Sequence, residues 1–424
     1  MKRILLGLVV LIAGISAQAQ NRCHADEMTQ ALWQNQPEVK AEMERIDREI
    51  EEYSANRPTN HQSEDVIVIP VVVHVVYANN NQNISDAQIQ SQITVLNEDF
   101  RAMNSDTNLI PSAFKGDLSD TEIEFCLAER DPNGFATTGI TRTQTTKSSF
   151  SNDDVKDSNA GGKDGWPRNS YLNIWVCNLS GGILGYAYQP GAPASIDGVV
   201  IGYNYFGSID YDDGSFILSS PYNKGRTATH EVGHWLNLDH VWGSNGCSTD
   251  NVNDTPLQQG PNFGCPNFPS TSTCNSVSNG PDGDMFMNYM DYVNDACMHL
   301  FSNGQGLRMN DALLVARASI RFSLGCDPGT PIGLNENPVI NDLNFYPNPV
   351  HGQANLKLTM LQKSNLHIRI VSGLGQLVWE KSVESQMPGQ IHENIDLSGL
   401  SSGIYHLSIQ AGGQEFSKEF LIQN

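Results

Sequence analysis

The run His230-Glu231-Val232-Gly233-His234-Trp235-Leu236-Asn237-Leu238-Asp239-His240 places three imidazoles and a carboxylate at a spacing that suits a catalytic zinc site. On a helix, residues four apart share a face, so His230 and His234 aim at one ion while Glu231 projects beside them. His240 lies too far along to continue that face, so the chain must leave the helix and bend back to deliver a third nitrogen. Asn237 suits that bend, because a left-handed residue is needed and Asn is the usual choice after Gly. Three neutral nitrogens leave one position of tetrahedral zinc to water, the open coordination of a catalytic site. Such a site lowers the pKa of its water and polarises a carbonyl, with Glu231 as the base that moves the proton. A zinc-bearing pseudoenzyme would be expected to have lost Glu231 or a ligand, and all four are present.

A second motif agrees. Met287-Asn288-Tyr289-Met290-Asp291-Tyr292 follows His240, and together the two stretches resemble the metzincin clan; Asn237 in place of the usual Gly, with Trp235 and Leu236, is similar to the pappalysin family of secreted metallopeptidases. The resemblance covers most of residues 66 to 326. It implies an α/β metzincin catalytic domain with a twisted mixed sheet, a backing helix, a zinc helix and a Met-turn, and one catalytic Zn2+ on His230, His234 and His240. It makes Met290 the turn methionine and Tyr292 a residue that steadies the reaction intermediate. Structural Ca2+ is implied in the long segment after the zinc helix, where Asp254, Thr255 and Asp284 offer the hard oxygen ligands calcium takes. A preference for Arg or Lys beside the cut bond is implied too, with Asp291 or Asp295 at the base of the receiving pocket.

The cysteines extend this reading. Cys247, Cys265, Cys274 and Cys297 crowd the segment between the two motifs and allow three connectivities. The resemblance favours Cys247 with Cys274 and Cys265 with Cys297; Cys126, Cys177 and Cys326 stay unassigned. Cys23 precedes the catalytic region, and a thiolate binds zinc well, so it can occupy the water's position and keep a precursor inactive. Arg22 beside it resembles the start of related propeptides. The alternatives are a disulfide to one of the unassigned cysteines, or a free thiol.

The elements that must position these groups are readable upstream. Val66 to Val76 is dense in β-branched residues and predicts a buried strand. Ser85 and Gln88 form a capping-box pattern ahead of Ile89, Ile93, Leu96 and Phe100 at helical spacing, which predicts the backing helix. Strand-like runs follow at 122–127, 172–177 and 198–201, implying a mixed, mainly parallel sheet. Gly181 to Tyr188 resembles the antiparallel edge strand of a metzincin cleft; an exposed edge accepts an extended peptide as an added strand, so polypeptide substrates are expected. A zinc amidase would call for a closed pocket instead.

Across its 424 residues the chain holds 47 acidic against 25 basic side chains, and the resulting charge of −22 argues against nucleic acid as a partner. Lys2, Arg3, the apolar stretch Ile4 to Ile15 and Ala17-Gln18-Ala19 read as a signal peptide cut after Ala19. No later stretch approaches a membrane span. The expected organisation is a signal peptide (1–19), a propeptide (20–65) with a helix through Val39 to Ile46, a zinc metallopeptidase domain (66–327), a linker (328–340) and a small all-β sandwich (341–424). In that last region Phe345-Tyr346-Pro347-Asn348-Pro349, Gly375-Gln376-Leu377-Val378 and Leu400-Ser401-Ser402-Gly403-Ile404-Tyr405 resemble the C-terminal sorting domain of the type IX secretion system of Bacteroidetes. This implies passage through the periplasm, the secretion machinery as partner, and a secreted or cell-surface product. A binding or adhesion module is the rival reading of a sandwich.

Overall fold

The computed structural model describes residues 22–57, 66–274, 277–278, 282–329, 339–373, 376–412 and 414–423. The expected signal peptide, residues 58–65, most of the linker and Gly375 lie outside them.

Two helices open the described chain, α1 (Ala25–Asn35) and α2 (Pro37–Ala55), where one was expected. Pro37 explains the break: it cannot donate to a continuing helix but suits the first position of a new one, where the structure has it. The sheet then begins with β1 (Ile67–Tyr77), followed by α3 (Asp86–Phe100), β2 (Ile123–Leu127), β3 (Ile140–Gln144), β4 (Leu172–Cys177), β5 (Gly185–Ala187) and β6 (Val199–Gly202). Its order is β2-β1-β4-β6-β5, with β3 also on β1. Every pairing is parallel except β5 on β6, so the mixed, mainly parallel sheet with one antiparallel edge is as expected.

The continuous apolar run of β1 has a simple cause. Ile67, Ile69, Val71, Val73 and Val75 face the main core, while Val72 and Val76 enter separate clusters on the other face. Both faces of the strand are covered, as parallel sheets require. In α3 the Ser85 side chain accepts from the Gln88 amide at 3.1 Å. The reciprocal half of the box is missing: the Gln88 side chain instead donates to the carbonyls of Tyr203 and Phe206 and accepts from the Ile217 amide, tying down the segment after β6.

Beyond α4 (Arg226–Trp235) lie the short ribbon β7 (Thr273–Cys274) and β8 (Val277–Ser278), then α5 (Asn303–Val315). Here a full capping box forms between Ser302 and Gln305. Disulfides join Cys247 to Cys274 and Cys265 to Cys297, as the resemblance implied, and a third joins Cys126 on β2 to Cys326. Cys177 is a buried free thiol.

The C-terminal region is all β: β9 (Ile340–His351), β10 (Gln353–Met360), β11 (Ser364–Ser372), β12 (Leu377–Gln386), β13 (Gly389–Asp396), β14 (Gly403–Ala411) and β15 (Gln414–Ile422). Alternate residues of β10, β11 and β14 point inward, so Leu356, Leu358, Ile368, Ile370, Leu407 and Ile409 form a core of their own. Among the described residues no helix is long and apolar enough to cross a membrane.

Candidate active site and metal centre

Helix α4 carries His230, Glu231 and His234, all buried. Its start is set by Gly225 in the left-handed region (φ 81°) and by Asp295, whose Oδ2 accepts from the Lys224 and Arg226 amides at 2.9 and 3.2 Å. Its end is set by Asn237, the expected left-handed residue, at φ 73°. The Leu238 amide then donates to the Gly233 carbonyl (3.0 Å), and the Leu238 carbonyl turns back to accept from His234 Nδ1 (2.8 Å). That reversal brings His240 alongside, stacked on Trp242 with 4.4 Å between ring centres.

The three rings converge. His234 Nε2 is 3.1 Å from both His230 Nε2 and His240 Nε2. His230 Nδ1 is 2.7 Å from the Tyr289 carbonyl, which can only accept, so in His230 and His234 the proton sits on Nδ1 and a lone pair remains on Nε2. Burial pushes His234 down to about 3 and His230 well below the usual imidazole range, keeping both neutral. Neutral lone pairs facing each other across 3.1 Å repel unless a cation lies among them. The donor set therefore fits a zinc ion, the ion the three-histidine pattern predicts.

Cys23 completes this group: its sulfur and the three histidine nitrogens all lie within 4.8 Å of one another, and among the described residues they form the single cluster of three or more such ligands. The segment around Cys23 pairs in parallel with the edge strand, His24 N–H donating to the Gly185 carbonyl (3.0 Å) and Leu184 N–H to the Arg22 carbonyl (3.2 Å). Glu231 Oε2 accepts from the Cys23 thiol at 3.5 Å, while Oε1 is buried without a hydrogen-bond partner. Burial pushes the Glu231 carboxyl up to about 8 and raises the Cys23 thiol, the nearby Glu231 charge adding to the latter. Tyr292 stands across the site, its hydroxyl 3.1 Å from His240 Nε2 and 3.4 Å from the Cys23 carbonyl.

Met290 lies beneath the helix. A Cβ on Gly233 would meet Met290 Sδ at 2.6 Å, so the glycine inside the histidine motif is what lets the methionine approach. Gly185 does the same above: a Cβ there would come within 3.0 Å of Glu231 Cγ.

The four acidic candidates separate. Asp295 is fully buried and pairs with Arg22 (3.0 Å), whose guanidinium also donates to the Val293 carbonyl and packs over the Tyr222 ring. Asp291 has other partners: its carboxylate accepts from the Gln258 side chain and from the Asn262 amide and side chain, bracing the loop. Asp254 caps α5, accepting from Ser302 Oγ and Gly304 N at 2.7 Å each. Thr255 donates to Asp250 and Asp284 accepts from Ser272, each at 2.7 Å. Asp26, which composition gave no reason to single out, sits 3.3 Å from His240 Nδ1.

The sequence profile described as pregnancy-associated plasma protein-A matches residues 152–314, and that of a secretion system C-terminal sorting domain matches 344–423. An extracellular metalloprotease of Arthroderma otae is 33% identical over 267 residues, 59% of this chain and 80% of that one. The chain belongs to the pappalysin family. Among solved structures this pappalysin is similar to a promirolysin mutant of Tannerella forsythia, at 48% identity and TM-score 0.64 over 73% of this chain and all of that one. It is similar also to mature mirolysin with a cleaved peptide, at 53% identity and TM-score 0.58 over 63% of this chain and all of that one. The pappalysin is thus a secreted zinc metalloendopeptidase of metzincin fold, followed by a type IX sorting domain.

Proposed function

We propose that His230, His234 and His240 hold the zinc ion, that Glu231 is the general base, and that residues 20–65 keep the enzyme latent through Cys23. The observation that carries this reading is the convergence of three Nε2 atoms and one thiol on a single point beside Glu231. Zinc bound there supplies a Lewis acid, acidifying water and polarising the scissile carbonyl. Glu231 takes the proton of the attacking water and passes it to the leaving amine; its partnerless Oε1 is the oxygen available for that work. The Tyr292 hydroxyl donates to the oxyanion as it forms, a role worth about 3 kcal/mol in comparable sites. Met290 packs under the histidines and touches no substrate.

Substrate polypeptides are expected to add to β5, where the backbone of residues 22–24 now pairs. Arg22 in the Asp295 pocket supports a preference for Arg or Lys beside the cut bond, with Asp295 as its determinant. Calcium belongs to the same reading, with Asp254, Thr255 and Asp284 as its oxygen donors; the buried Asp250 carboxylate, which accepts from Thr255 Oγ1 and has one oxygen without a hydrogen-bond partner, supports it. The chain is read as propeptide to 65, peptidase domain 66–327, linker 328–340 and sorting domain 341–424, exported across the outer membrane of a Bacteroidetes-type bacterium.

The test is a pair of variants. Glu231→Ala is expected to keep zinc by metal analysis and to lose azocasein hydrolysis; near-normal turnover would end the proposed mechanism. Cys23→Ala is expected to mature faster and to be active before cleavage, and an equally silent, equally slow variant would assign latency to other contacts.

A further inference from the structure

Behind His230 lies a buried polar cluster with no evident part in proton transfer. The Tyr289 carbonyl that accepts from His230 Nδ1 belongs to a residue held at both ends. Its amide donates to the Leu300 carbonyl (2.9 Å), and its hydroxyl donates to Asp99 Oδ1 (3.0 Å). Asp99, at the end of α3, also accepts from Thr229 Oγ1 (2.6 Å) and pairs with Arg226 Nε (3.0 Å). Arg226, the first residue of α4, donates from Nη1 to the Tyr289 hydroxyl (3.3 Å) and to the Met298 carbonyl (2.5 Å), its guanidinium over the Tyr289 ring. Asp99, Thr229 and Tyr289 are essentially sealed from solvent, and Arg226 is 5% exposed.

Stability alone is a poor reason for such a cluster. A buried ion pair is commonly no better for stability than apolar residues of the same volume, whereas a fixed geometry is something apolar contacts supply less well. The geometry fixed here is specific. Asp99 and Arg226 join the backing helix and the start of the histidine helix to the Tyr289 hydroxyl, and the backbone carbonyl of the same residue sets the tautomer and tilt of His230.

We propose that Asp99 and Arg226 are positioning residues for the metal centre, acting through the Tyr289 hydroxyl to hold the carbonyl that aims His230. The proposal rests on the reading of His230 as a zinc ligand. Groups that orient ligating histidines typically govern metal affinity by 10- to 100-fold, so a measurable effect on zinc binding is expected without contact to the ion.

The experiment measures zinc affinity by chelator competition, with thermal unfolding alongside, on the full chain carrying Glu231→Ala to prevent self-cleavage. The variants are Asp99→Asn, Tyr289→Phe, the two together, His230→Ala, and Lys156→Met as a buried-charge control behind β5. Asp99→Asn and Tyr289→Phe are each expected to weaken zinc binding about 10- to 100-fold, and the double variant no more than the stronger single, because both cut one path. Lys156→Met is expected to lower the unfolding temperature and leave zinc affinity alone. Unchanged affinity in Tyr289→Phe overturns the proposal even if Asp99→Asn fails to fold, since that change leaves the ring in place. Losses that multiply in the double variant overturn it too, by showing that Asp99 acts along another route. Zinc retained at full affinity by His230→Ala would instead remove the underlying ligand assignment.

Discussion

Arg22 and Asp295 meet 3.0 Å apart with both side chains shut away from water, 273 residues apart in sequence. A buried carboxylate that also holds two amides at the start of the histidine helix is a fixed negative site, and an arginine side chain already fits it. Asp295→Asn keeps the amide contacts and removes the charge. Peptides with Arg or Lys beside the cut bond should lose at least about thirtyfold in kcat/KM, about 2 kcal/mol, the low end of the cost of breaking a desolvated charge pair. Peptides with an apolar residue there should change little. Equal losses on both sets would detach specificity from Asp295.

The same preference locates the activating cut. Between Tyr53 and Asp65 the one Arg or Lys is Arg57, directly after the last turn of α2. Self-cleavage is expected first at Asn56-Arg57, so N-terminal sequencing of the matured enzyme should begin at Arg57, with residues 57–65 left as a short leader ahead of the peptidase domain. The Glu231→Ala precursor should stay uncut unless wild-type enzyme is added.

Gly233→Ala should destabilise the enzyme by about 1–3 kcal/mol through overpacking, despite the better helix propensity of alanine. The added methyl meets the Met290 sulfur, and Met290 is completely buried. In a Met290→Ala background the same substitution should be nearly neutral. A methyl tolerated equally well in both backgrounds would mean that the sulfur moves freely.

His74 gives stability an acid limb. It is buried in β1, with Nδ1 2.8 Å from Thr141 Oγ1 and Nε2 3.0 Å from Asn173 Oδ1, and burial lowers its pKa from 6.5 to about 4. The unfolded chain therefore takes up a proton at a pH where the folded one does not. Stability is whole above pH 6.5 and falls as pH drops toward 4, by about 2 kcal/mol at pH 5. Between pH 7.5 and pH 5 the wild type should lose about 2 kcal/mol more than His74→Gln in urea unfolding, since the buried His230 and His234 add the same acid loss to both.

The histidine motif was readable because it is local: a four-residue spacing, a left-handed Asn and a returning histidine need only helix geometry, and α4 with Asn237 at φ 73° realises it. The edge strand and the two loop disulfides followed from the resemblance. What could not be read was set by distant contacts. Asp291 and Asp295 are four residues apart with similar neighbours, and only the folded loop turns one toward Gln258 and Asn262 and the other toward Arg22. Asp254 reads in the sequence only as an oxygen donor, because nothing in its surroundings announces that Ser302, 48 residues on, takes it as partner at a helix start. Pro37 carries the signal for a break, and the helix expected through Val39 to Ile46 is the second of the two.

The Cys126–Cys326 bond ties the strand at one margin of the sheet to the last residues before the linker. Any pull exerted on the sorting domain during export or attachment arrives at a covalent stop on β2 before it reaches α5 or the residues around the histidines. The same stop works against unravelling: an enzyme trimmed anywhere beyond Cys326 still has its peptidase domain closed at that end. Loss of the tail is thereby expected to leave the covalent frame of the peptidase domain whole.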